Sequence, residues 1–140
     1  GKLDYLIIDL PPGTGDAQLT LAQSSKLTGS IIVSTPQDVA LIDARKGINM
    51  FKKVNVPVLG IIENMSYFIC DKCHKRHEIF SYGGAKKESL KFSTNFLGEI
   101  PLNKDLRIRS DSGKPIGIDE PDSEISKTYL DIAKKIALIK

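Results

Sequence analysis

The chain has 140 residues, 41% of them apolar and 26% charged, with a net charge of +3. This is enough for one domain with a real core, in the composition range of a globular protein. No apolar run approaches the roughly 18 residues of a membrane helix, and the opening "GKLDYLIIDL" lacks the long apolar region and small-residue cleavage site of a secretory signal.

Basic residues are scattered apart from pairs such as Lys52-Lys53 and Lys86-Lys87, a pattern of solvated helix faces rather than of a nucleic-acid surface. The two cysteines are too few for a secreted disulfide scaffold, which favours the interior of a cell. The chain opens on Gly1 and reaches an apolar run by residue 4, as expected of a piece of a longer protein.

"DYLIIDL" (4–10) is short, rich in β-branched residues and apolar, which predicts a strand buried on both faces. "PPGTGD" breaks it, and "DAQLTLAQSS" reads as a helix capped by Asp16. "SIIVS" (30–34) is a second buried strand, closed by "TPQD". A helix capped by Asp38 follows. Its Leu41, Ala44, Ile48 and Phe51 share one face, and Asp43, Arg45, Lys46, Asn49 and Lys52 cover the other. "VPVLGII" (56–62) is a third strand.

From residue 63 the periodicity stops. "ENMSYFICDKCHKRHEIFSYGG" reads as an irregular insertion, at about 64–85, of the kind that often carries function. "AKKESLKF" is a short helix, "NFLGEIP" (95–101) a fourth strand, and "LNKDLRIRSDSGKPIG" a short helix ended by Gly113 and Pro115. The last helix starts near Asp122 or Ser123 and is expected to bury Ile125, Tyr129, Ile132, Ile136 and Ile139.

Buried strands alternating with helices predict an α/β fold, a mostly parallel sheet with flanking helices and right-handed crossovers. The loops "PPGTGD", "TPQD", "ENMSYFIC" and "IPLNKD" then leave the carboxyl ends of strands, the edge where open α/β sheets bind ligands. Asp9 closes a buried strand, as does the carboxylate that a phosphate-binding ATPase places near magnesium. Pro12, Gly13, Thr14 and Gly15 follow, with little bulk and free N–H groups on the glycines and threonine, so that a phosphate can approach the backbone. Asn64 stands at the same edge with an amide that suits an adenine edge, although an Asn there also serves as an ordinary turn residue.

The two cysteines, Cys70 and Cys73, stand two residues apart in "YFICDKCHKRH", followed by His74 and His77. Four readings compete. A disulfide has no structural purpose in a reducing cell, and a thioredoxin-like pair belongs at a helix start. A zinc site from all four residues would need adjacent Cys73 and His74 to face one metal, although four thiolates from two chains are open to zinc as well. An iron–sulfur cluster takes four thiolates, of which this chain supplies two and a two-fold dimer four. The residues alone leave the last two readings level.

"DYLIIDLPPGTGDAQLTLAQ", the block from "STPQDVALIDARKGI" through "ENMSYFICDKC", and "FLGEIPLNKDLRIRSDSGKPI" together resemble the Mrp/ApbC family of P-loop ATPases, iron–sulfur carriers related to MinD and the nitrogenase iron protein. The likeness covers nearly the whole chain. It implies a partial MinD-like P-loop fold, with residues 1–140 forming the C-terminal part of one ATPase domain.

It also implies that Asp9 is the Walker-B-like carboxylate, "PPGTGD" the second switch, Asn64 the adenine-side residue, and the loop from Pro101 the wall of the base pocket. Cys70 and Cys73 would be the ligands of a cluster, 4Fe-4S in type, bridging a homodimer. ATP and magnesium would be cofactors, and apo iron–sulfur proteins and cluster scaffold proteins the partners, with no nucleic acid and no membrane. The implied compartment is the cytoplasm, with the mitochondrial matrix as alternative. A MinD/ParA-like positioning ATPase and a zinc-stapled structural module are the rival readings.

Three departures stand out. The family's Gly-rich K-G-G-x-G-K-[ST] loop does not occur in these residues, so the phosphate cradle is missing and the piece alone is expected to be inactive. Asn103 replaces the Asp of "IPLD", and His74 stands where the family tends to have Gly.

Overall fold

The computed structural model describes residues 1–11 and 15–139. Three strands, β1 (Ser30–Ser34), β2 (Val58–Glu63) and β5 (Asn95–Glu99), form a parallel sheet in the order β1-β2-β5. Helix α1 (Asp16–Ser24) precedes β1, α2 (Asp38–Lys53) joins β1 to β2, and α3 (Gly84–Lys91) lies between β2 and β5. After β5 come α4 (Lys104–Asp111), α5 (Ile116–Asp119) and α6 (Glu124–Leu138).

The sheet is covered on both faces, because neighbouring strand residues point in opposite directions. Ile61 joins a core with Ile32, Leu41, Ala44, Ile48 and Phe51 of β1 and α2. The next residue, Ile62, joins Leu97, Ile100 and Ile132 in a second core beneath α6. All four residues expected on the inner face of α2 are buried. On α6 the stripe is narrower than its periodicity suggests. Ile132 is buried and Ile125, Ile136 and Ile139 are half-buried, but Tyr129 is exposed.

Three expectations are corrected. Residues 4–10 form no strand. Their backbone has no ladder partner among the described residues, and Leu3, Leu6 and Ile7 are 70% or more exposed. An apolar run takes strand form only where neighbours accept its N–H and C=O groups, and only its end is held here: Leu10 packs on the α2 core and the Pro11 carbonyl accepts Gln18 Nε2 at 2.6 Å.

Asp16 and Asp38 are first-turn residues, with Gly15 and Gln37 at the cap positions, a shift of one residue in each helix. The insertion is not wholly irregular either. It contains an antiparallel hairpin, β3 (Phe68–Ile69) against β4 (Arg76–His77). Asn103 is the cap of α4, its Oδ1 accepting Leu106 N at 2.8 Å. Asn caps a helix about as well as Asp does, so this departure from the family pattern keeps the local structure.

Candidate functional site: a dithiol hairpin at the strand ends

β2 carries the chain to the carboxyl edge of the sheet and ends on Glu63. Asn64 N donates to the Ser34 carbonyl at 2.7 Å, tying this edge to β1. Asn64 Oδ1 accepts Met65 N at 2.9 Å, a bond that fixes the side chain in the turn while engaging neither its NH2 nor the second lone pair of its oxygen. On the other side the backbone pairing outlasts the strands. Ile100 N donates to Glu63 O at 2.8 Å, Ser66 N to Ile100 O at 3.0 Å, and Leu102 N to Tyr67 O at 2.7 Å. The loop at half-buried Pro101 is thereby zipped to the stem of the hairpin. Asn64, Pro101 and the cysteine-bearing segment therefore share one edge of the sheet, as expected from the topology.

The stem is closed by a residue the sequence reading passed over. Glu63 is fully buried. Its Oε1 accepts Ser66 Oγ at 2.6 Å and Gly83 N at 3.2 Å, and its Oε2 accepts Ala85 N at 2.7 Å. One carboxylate thus holds both ends of the insertion. It also supplies the acceptor for the first turn of α3 that the helix's own cap residue, Gly83, cannot. Glycines permit the approach: Gly83 has φ +67°, and a Cβ on Gly84 would lie 2.6 Å from Leu41 Cδ1. The signal was a Glu closing a buried run, "GIIE", the same signal as Asp9 in "IIDL".

At the tip, Cys70 N donates to Lys75 O at 3.0 Å and His74 N to Cys70 O at 2.9 Å, forming a tight turn around the two sulfurs. Cys70 is half-buried, Cys73 exposed, and both are free thiols. The backbone N–H groups of Cys73 and Lys72, with the Cys73 thiol, pull the Cys70 thiol below its ordinary range. Such an environment favours the thiolate, the metal-binding form. His74 adopts φ +55°, the left-handed region in which glycine is at ease.

His77 lies across the ladder from Phe68, the two rings 6.5 Å apart. Among the described residues no three His, Cys, Asp or Glu side chains gather as a metal site. Cys70 and Cys73 are thus the two sulfur donors at the tip of the hairpin, flanked in sequence by His74 and His77.

Asp9 is exposed, in the segment that forms no strand. Pro12 and Gly13, expected at the phosphate, lie outside the described residues. A shallow cleft of about 250 Å3 lined by Asp105, Ile108, Arg109, Ser112, Lys114 and Asp119 lies at α4 and α5 rather than at the hairpin, and its arginine is already paired with Asp119 and Glu120. No helix among the described residues is long and apolar enough to cross a membrane.

A doubly covered parallel sheet with a dithiol hairpin at its carboxyl edge defines an α/β protein of the type that binds ligands at that edge. Solved structures agree on the fold. A nucleotide-binding protein of Archaeoglobus fulgidus in complex with ADP is 44% identical at TM-score 0.74, over 89% of this chain and 50% of that one. The cell-division ATPase MinD of Pyrococcus furiosus, at 19% identity and TM-score 0.63 over 81% of this chain and 44% of that one, shares the fold alone.

The family model of the NUBPL iron-transfer P-loop NTPase, in the ParA group, matches residues 1–137, and the chain belongs to that family. It is 57% identical to the iron-sulfur cluster transfer protein NUBPL of Dictyostelium discoideum, over 97% of this chain and 42% of the relative. It is 54% identical to the iron-sulfur cluster carrier protein of Escherichia coli K12, over 96% of this chain and 37% of the relative. The chain thus spans about two fifths of the length of these relatives.

Proposed function

We propose that the protein containing these residues is an ATP-binding iron–sulfur cluster carrier, which assembles a cluster between two copies and passes it to apo-proteins. The observation that carries this reading is the pair of accessible sulfurs, Cys70 and Cys73, on a hairpin at the ligand edge, with no third metal donor gathered beside them among the described residues. Two such hairpins meeting on a two-fold axis supply the four thiolates that a 4Fe-4S cluster takes. Exposure of Cys73 suits a cargo that must be surrendered, and scaffold proteins are the natural donors. The names of the relatives, iron-sulfur cluster carrier and transfer proteins, agree with this.

In the same reading Asn64 and the Pro101 loop hold the base, and Pro12 and Gly13 contact phosphate. Asp9 holds magnesium and supports a slow ATP hydrolase, whose turnover moves the edge to which the hairpin is zipped. In this reading the carrier works in the cytoplasm or the mitochondrial matrix, which the bacterial and mitochondrial relatives support.

Anaerobic reconstitution of the intact protein with iron and sulfide tests it. One cluster per dimer is expected, absent in Cys70→Ala and Cys73→Ala and retained in His74→Ala and His77→Ala, with ATPase activity surviving the cysteine changes and lost in Asp9→Asn. Zinc, being d10, gives no visible charge-transfer band. A colourless protein with one zinc per chain, lost in His74→Ala, would leave a structural staple instead. A reconstituted protein that holds neither metal would favour a positioning ATPase.

A further inference from the structure

The hairpin that presents the thiols has only two residues in each strand, Phe68 opposite His77 and Ile69 opposite Arg76. A ladder this short does not hold its own orientation in water, so something outside it must set where the sulfurs stand. Arg76 is the side chain placed to do so. Its guanidinium carbon lies 4.0 Å from the centroid of the Tyr67 ring and 5.0 Å from that of Tyr82, so it is flanked by rings from both ends of the insertion. Its NH2 donates to Glu99 Oε2 of β5 at 3.1 Å, and Glu78 lies 3.9 Å from its Nε. A planar cation can stack by its faces and hydrogen-bond by its edge at once, which an ammonium cannot.

The anchor points are not arbitrary. Glu99 is the residue before Ile100 and the Pro101 loop. Tyr67, whose ring lies beside Arg76, also accepts Leu102 N through its carbonyl and stands three residues before Cys70. The backbone zip and the Arg76 contacts therefore join the same two bodies, the hairpin and the end of β5, by independent routes.

We propose that Arg76 is a positioning residue for the two thiols, locking the cysteine hairpin to the end of β5 and so to the loop at Pro101. What the lock does for an iron–sulfur cargo rests on the function proposed above; the lock itself does not.

The test uses the intact protein with Arg76→Ala, Arg76→Lys, Glu99→Gln and the Arg76→Ala/Glu99→Gln double variant. In the metal-free protein, amide exchange at residues 68–77 and iodoacetamide alkylation of Cys70 are expected to quicken roughly tenfold in Arg76→Ala, with little change in global Tm. Arg76→Lys should fall between this variant and wild type. Glu99→Gln should add nothing once Arg76 is gone, since its effect passes through that side chain. In the reconstituted protein, Arg76→Ala should still load a cluster but release it faster to a chelator, with an altered visible spectrum.

Unchanged hairpin exchange in Arg76→Ala, or a lysine variant indistinguishable from wild type, overturns the lock even where wild type carries a cluster. A wild type that takes up no iron while Arg76→Ala still frees the hairpin overturns the carrier reading and supports the lock.

Discussion

Removing the Glu63 carboxylate should damage the stem of the insertion in two distinguishable steps. Three donors converge on it: Ser66 Oγ and Gly83 N on Oε1, and Ala85 N on Oε2. In Glu63→Gln the new amide can place its oxygen at either position. With oxygen at the Oε1 site, the NH2 faces the Ala85 N–H. With the amide reversed, the Ser66 hydroxyl can turn to accept, but the Gly83 N–H loses its partner. Either way one buried backbone N–H is orphaned, a loss of about 1–3 kcal/mol.

Glu63→Ala orphans both, roughly 2–6 kcal/mol by the same measure, before the cost of the space left in a fully buried site. Urea unfolding at constant m-value measures the totals, and amide exchange at Gly83 and Ala85 locates them. A glutamine variant as stable as wild type, or an alanine variant no worse than the glutamine one, would refute this accounting.

Two other changes follow from the same geometry. Residue 74 sits at φ +55°, so His74→Gly should remove up to about 1 kcal/mol of left-handed strain and slow exchange of the Cys70 and His74 amides; faster exchange would mean that the imidazole holds the turn. Glu88, 8% exposed and bonded by Arg45 at 2.7 and 2.9 Å, is held below the usual carboxylate range chiefly by that hydrogen bond, with burial opposing. A depressed folded pKa contributes stability that is complete above the unfolded value, about 4.3, and fades as pH falls through the folded one. The stability gap between wild type and Glu88→Gln should therefore narrow on acidification from about pH 6 to 3, and a gap that does not change with pH would count against the pair.

The amino-acid order by itself determined the elements whose signal is local. The apolar spacing of α2, the β-branched runs of β1 and β2 and the turn residues around Gly113 each act over a few residues, and each was legible without knowing what they pack against. The cysteine pair was legible for the same reason, and alternation of element types placed Asn64, Pro101 and the dithiol segment on one edge.

Whether an apolar run becomes a strand is not local. Residues 4–10 have the pattern but no ladder partner among the described residues, so they stay exposed, and Asp9 with them. Nor could spacing reveal that Glu63 would reach Ala85, 22 positions on, or that Arg76 would reach Glu99, 23 positions on. Those contacts exist because parallel β2 and β5 end side by side and the insertion must return between them. A carboxylate at a strand end is only a polar residue until the topology brings N–H donors to it.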